Sequence, residues 1–172
     1  IDTFLNIRKP GDAQRGPMDR SDLNLIAAAV AAQNEPAFER KNLTLSLELA
    51  DQLPLARAEA GCIYQALSNY VSNAIKFHPP GGKIVVRTRR SDTRLRAEVQ
   101  DGGPGVPPHE RVRLFDEYSQ ISNPPTAGED STGLGLSIVK QLVESERGVV
   151  GADFPVDGGS IFWFEVPIAP GT

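Results

Sequence analysis

The stretch from Glu59 to Phe77, halted by Pro79-Pro80-Gly81-Gly82, constrains this chain more than any other feature. Proline lacks the N–H and clashes with the preceding turn, so a helix cannot run through that tetrapeptide. Ahead of it, Ile63, Leu67, Tyr70, Val71 and Ala74 gather on one side at helical spacing. Gln65, Asn69, Asn73 and Lys76, spaced 4, 4 and 3, fall on a separate stripe about 80° wide. A solvated face is the ordinary reading of such a stripe. Two asparagines in mid-helix weaken that reading, because their amides compete for backbone hydrogen bonds. An Asn oxygen is a hard neutral ligand suited to magnesium that already carries phosphates, and Lys76 suits a phosphate.

Around this helix the chain alternates elements without a regular βαβ rhythm, which predicts an α+β sandwich. Asp22 is an N-cap for a helix reaching about Lys41, with Pro36 expected to kink or end it early. Leu43, Leu45, Leu47 and Leu49 alternate with Thr44, Ser46 and Glu48, the pattern of a half-buried strand. Lys83–Arg90 and Leu95–Gln100 read as a hairpin with one wet face. A short helical stretch is expected over Glu110–Tyr118, and a third long helix from about Gly133 to Glu146. Strands Val149–Phe154 and Ile161–Val166 close the fold. Residues 1–17 read as the end of an upstream helix plus a linker, 18–168 as one domain and 169–172 as a tail.

The bulk properties narrow the field. A chain of 172 residues with net charge −4 is one domain without the clustered Lys and Arg of a nucleic-acid backbone binder. A single cysteine, Cys62, excludes an internal disulfide and a multi-Cys zinc site, which fits a reducing, aqueous compartment. No run approaches the ~18 apolar residues of a membrane span.

Two glycine-bearing loops complete the chemistry. Asp101-Gly102-Gly103-Pro104-Gly105 sits at a strand end, where glycines let a flat ligand approach and a carboxylate can accept from an exocyclic amine. Thr132-Gly133-Leu134-Gly135-Leu136 opens a helix, whose free N–H groups and dipole favour an anion. It is not a dinucleotide fingerprint, since Ile138 stands where the third glycine belongs, and there is no P-loop.

In order, Gln65-x-x-x-Asn69-x-x-x-Asn73-Ala74-Ile75-Lys76-Phe77, Asp101-Gly-Gly-Pro-Gly105, Leu114-Phe115-Asp116-Glu117-Tyr118 and Gly133-Leu-Gly135-Leu136 closely resemble the catalytic ATP-binding domain of sensor histidine kinases. They match that family's N box, first glycine box, F box and second glycine box, from about Met18 to Pro167. The resemblance implies the Bergerat fold, a two-layer sandwich with a mixed sheet and three long helices on one face. It implies ATP and Mg2+ as ligands, with Asn73 as the magnesium ligand, Asn69 beside the phosphates and Lys76 on a phosphate. Asp101 would meet adenine N6, with Gly103 and Gly105 shaping that end of the site. Thr132, Gly133, Leu134, Gly135 and Leu136 would lie where a lid of about residues 107–132 meets the phosphates, and Phe115 would pack where lid and helix meet.

The implied activity is transfer of the γ-phosphoryl group of ATP to a histidine on a separate dimerisation domain. A response regulator follows downstream, in a cytoplasmic domain that touches neither membrane nor nucleic acid. His109-Glu110-Arg111 echoes an acceptor motif but lacks the following Thr-Pro, and His78 is expected to cap its loop. Two alternatives stand beside this reading. A hydrolytic ATPase of the wider superfamily would use Glu where Asn69 stands. A degenerate nucleotide-binding or docking module would fit the absence of Lys and Arg from Leu114 to Val139.

Overall fold

The computed structural model describes residues 19–116 and 135–171. Asp22 caps the first helix, α1 (Leu23–Gln33), accepting the Leu25 N–H at 3.1 Å. Pro36 ends that helix rather than bending it. Asn34 closes α1, its N–H still reaching the Val30 carbonyl at 3.2 Å, and Pro36, which has no N–H to continue the run, sits in the first turn of a separate helix, α2 (Glu35–Arg40). Helix α3 (Ala60–Phe77) is the long element that the tetrapeptide breaker stops, and α4 (Gly135–Ser145) is the last.

The strands are β1 (Thr44–Glu48), β2 (Lys83–Ser91), β3 (Arg94–Asp101), β4 (Val149–Asp153) and β5 (Ser160–Pro167). They form one sheet in the order β1-β2-β3-β5-β4. β1 runs parallel to β2 and the other pairs are antiparallel, so the sheet is mixed as expected. One face carries Ile84, Val86, Leu95, Ala97, Val99 and Phe164, all buried beneath α1, α3 and α4. Tyr70 ties α3 to the sheet. Its ring packs on Phe162 and Phe164 while its hydroxyl donates to the Trp163 carbonyl at 2.8 Å.

β1 is half-buried as expected, with Leu43, Leu45 and Leu49 on the core, though at the sheet edge Leu47 stays 40% exposed. Two expectations are corrected. The other face of the hairpin is less wet than alternation suggested. Glu98 is buried in a charge network with Arg87, Arg89 and Arg96, and Arg96 lies 4.0 Å above the Trp163 ring. The segment after the first glycine loop forms a 3-10 helix, Pro108–Arg113, rather than one starting at Glu110. Prolines 107 and 108 start it early, because proline suits the first helical turn. Residues 117–118 of that expectation lie outside the described residues, as does the start of the third long helix before Gly135.

The ends of α3 are fastened by two residues that the sequence did not single out. Glu146, after α4, accepts the Glu59 N–H through Oε1 at 2.9 Å and so caps the start of α3, which has no side-chain cap of its own. At the other end Lys41, 5% exposed, donates to the carbonyls of Ile75 and Lys76, the latter at 3.1 Å. A buried cation on the last carbonyls of a helix satisfies orphan acceptors and complements the dipole. Lys41→Met should therefore lower stability by about 1–3 kcal/mol, from the loss of charged hydrogen bonds and the buried carbonyls it leaves unmet. Urea unfolding checks this, and a midpoint within error of the parent would contradict it.

Candidate functional site

The polar stripe of α3 is not a solvated face. Gln65 is buried, and Asn69, Asn73 and Lys76 are half-buried, because α3 is flanked by α1 and α4 and backed by the sheet. Gln65 Nε2 and Asn69 Nδ2 are both buried with no hydrogen-bond partner among the described residues. An amide donor left unmet in the interior costs about 1–3 kcal/mol. Asn69 therefore presents a desolvated donor beside Asn73 on the next turn, with Lys76 completing the stripe. The donors suit phosphate oxygens, and the Asn73 carbonyl oxygen suits a hard cation.

The second part of the site is built where β3 ends. Asp101, 9% exposed, accepts the Gly103 N–H through Oδ1 at 2.9 Å, which leaves Oδ2 for a ligand's amine. Burial holds its carboxyl above the usual carboxylate range, while the Gly103 N–H and the nearby His78 pull it back. The loop rests against the end of α3. A Cβ on Gly103 would stand 3.1 Å from both Asp101 Oδ1 and the Phe77 carbonyl oxygen. So the helix that carries the asparagines also supports the loop that carries Asp101.

The closing hairpin seals the other side of the loop. Gly105, at φ +75°, lies close to the Gly159 carbonyl. Gly159, at φ +83°, passes so near β3 that a Cβ would stand 2.2 Å from the Asp101 carbonyl oxygen. Gly159→Ala is thus strained by both conformation and space. It should cost about 1–3 kcal/mol and displace Asp101, so the melting temperature should fall. An unchanged melting temperature would refute this placement.

Other expected residues divide clearly. Phe115 is half-buried and packs edge-on to Phe162 with centroids 6.5 Å apart, a core contact at the foot of the segment expected to form a lid. Gly135 is the first residue of α4, and Leu136 packs against the core one position on. Thr132, Gly133 and Leu134 lie outside the described residues, as does the expected lid from residue 117. Arg111, a cation at the edge of that segment, is folded away. Its Nε donates to the Val106 carbonyl at 2.9 Å and its guanidinium sits 4.1 Å over the Phe154 ring. His109 is exposed beside Glu110 at 3.5 Å. His78 does cap its loop, with Nδ1 2.8 Å from the Pro79 carbonyl.

Near the start of α3, Glu59, Cys62 and Glu146 present ligand atoms within 4.8 Å of one another. Burial, then the hydrogen bond to Glu59, pushes the Cys62 thiol well up, so it stays protonated and donates to Glu59 Oε1 at 3.1 Å. This cluster fastens the helix N-terminus.

Comparison with known proteins follows the same lines. Residues 59–170 match the family model described as histidine kinase-, DNA gyrase B-, and HSP90-like ATPase. Sensor histidine kinase TmoS of Ectopseudomonas mendocina is 30% identical over 170 residues, covering 98% of this chain and 17% of TmoS. The crystal structure of full-length ShkA in complex with AMPPNP superposes with TM-score 0.79 at 30% identity, covering 98% of this chain and 35% of ShkA. Histidine kinase ThkA in complex with the response regulator TrrA matches with TM-score 0.72 at 26% identity, over 88% of this chain and 42% of ThkA. The chain thus spans about a sixth of TmoS. Among the described residues, no helix is long and apolar enough to cross a membrane.

Proposed function

The chain belongs to the histidine kinase-, DNA gyrase B-, and HSP90-like ATPase family, as a catalytic ATP-binding domain of the sensor histidine kinase type, and from that premise we propose that it binds Mg-ATP and donates the γ-phosphoryl group to a histidine on a separate dimerisation domain. The observation that carries the reading is the half-buried row of Asn69, Asn73 and Lys76, one helix end away from the buried Asp101. Asp101 accepts from adenine N6, whereas guanine would set a carbonyl oxygen, a second acceptor, against the carboxylate. Asn69 Nδ2 and Lys76 donate to phosphate oxygens, and Asn73 holds the magnesium through its side-chain oxygen. Bound magnesium supplies charge neutralisation on the phosphates.

In the reaction an imidazole nitrogen of the acceptor attacks the γ-phosphorus. The new P–N bond forms as the bond to the β,γ-bridging oxygen breaks, ADP leaves, and the imidazole proton passes to solvent. This chain's part is to hold the triphosphate in line and keep the purine anchored, the positioning on which phosphoryl transfer depends. A response regulator takes the group next, and the setting is cytoplasmic. Asn69 in place of a carboxylate leaves no general base on the stripe to activate a water, which disfavours hydrolysis.

Isothermal titration with ATP and GTP, with and without magnesium, tests the binding half directly. Magnesium-dependent binding that prefers ATP is expected. Equal affinity for both nucleotides would remove the role given to Asp101.

A further inference from the structure

Resting on the adenine role assigned to Asp101, we propose that His78 is a positioning residue of the purine end of the site: its buried ring, pinned to the Pro79 carbonyl, underlies the Asp101-Gly102-Gly103 loop and helps set how that carboxylate meets the base. The ring is 6% exposed and wedged between two loops. On one side the turn after α3 makes room for it only because residue 82 is glycine. A Cβ there, at φ +115°, would stand 2.6 Å from His78 Cε1. On the other side, a Cβ on Gly102 would stand 3.4 Å from His78 Nε2. Its Nδ1 lies 2.8 Å from the Pro79 carbonyl, so Nδ1–H donates there and fixes the ring's orientation. The Nε2 edge is thereby turned toward the loop that carries Asp101.

The consequence is chemical as well as steric. Positive charge on this ring favours the ionised form of the buried carboxylate beside it, the acceptor that adenine needs. Asp101 already feels that influence, against the burial that raises it. Among the described residues, the charged groups around this turn include the cations Lys41, which follows α2 and donates to the last carbonyls of α3, Lys76 within α3 and Lys83 at the start of β2. None of them can replace Asp101 as the carboxylate partner of the ring.

The sign follows from that pairing. ATP affinity is full where Asp101 is ionised and falls as pH drops through its carboxyl pKa. Removing the ring's charge raises that pKa, so affinity is lost at a higher pH. Titrations of Mg-ATP and Mg-GTP across pH 5–8 on the parent, His78→Phe and His78→Asn test this. His78→Phe keeps the bulk but neither the Pro79 bond nor the charge. It should weaken ATP binding at pH 7.5 by about two- to tenfold, the worth of one neutral hydrogen bond, and move the acid limb upward. His78→Asn regains a donor for Pro79 but no charge, so it should recover affinity at pH 7.5 while the acid limb stays displaced. Profiles that superimpose on the parent's, with only the melting temperature lowered, would overturn the proposal and leave His78 a loop cap. A parent that binds neither nucleotide would instead refute the function assigned to the site. Should both variants fail to fold, NMR of the unaltered chain decides: adding Mg-ATP should shift the His78 ring resonances together with the Asp101 carboxyl carbon, and His78 resonances that stay in place while Asp101 moves would refute the coupling.

Discussion

Replacing Asn73 with alanine should cut phosphoryl transfer to an added histidine-bearing dimerisation domain by at least about a hundredfold, the scale on which losing one preorganised electrostatic contact acts. Magnesium takes few protein ligands and keeps several waters, so a single Asn oxygen can be the whole protein share of its shell. Asn73 lies one turn beyond Asn69, which already carries a buried amide donor with no described partner. Asn73→Ala removes only the end of a half-buried side chain, so the domain should melt near the parent temperature. Asn73→Asp keeps the oxygen but adds a charge beside the phosphates, and should alter the metal dependence. Transfer measured with labelled ATP over a range of magnesium concentrations checks both variants. Undiminished transfer by Asn73→Ala would place the metal elsewhere.

Asp101→Ala should weaken Mg-ATP binding by roughly tenfold to a hundredfold, because a hydrogen bond to a charged group contributes about 1.5–3 kcal/mol. GTP binding should change far less, since guanine presents no amine at that edge. The loss has a local cost too: Oδ1 accepts the Gly103 N–H, so the loop slackens as the acceptor disappears. Asp101→Asn separates the two effects, keeping an oxygen for Gly103 while losing the charge. Equal loss of ATP and GTP affinity in Asp101→Ala would mean that the residue shapes the loop without reading the base.

Much of the fold was legible because local rules decided it. Asp22 capped its helix, Pro36 interrupted it, and the Pro-Pro-Gly-Gly run ended α3 at the expected residue. The candidate site was legible as a stripe plus a glycine loop, since 3.6-residue geometry places Asn69, Asn73 and Lys76 together whatever surrounds them. What stayed hidden depends on distant neighbours. Lys41 sits between Arg40 and Asn42 and reads as surface charge, yet its partners are carbonyls 34 and 35 residues away. Glu146 caps a residue 87 positions earlier. The leucines of β1 predicted burial, and only the strand order reveals that they lie on an edge. The wedge of His78 against Gly82 and Gly102 likewise needs three segments brought together.

The account's central claim is that this domain supplies the phosphoryl group and another domain receives it. The direct measurement is incubation of the chain with γ-labelled Mg-ATP, alone and with a histidine-bearing dimerisation domain, followed by acid and base treatment of the labelled products. The account predicts acid-labile, base-stable label on the added domain, none retained on this chain and little free phosphate from the chain alone. Acid-labile label on His109 of the isolated chain, lost in His109→Ala, would contradict it, as would brisk ATP hydrolysis that survives Asn73→Ala.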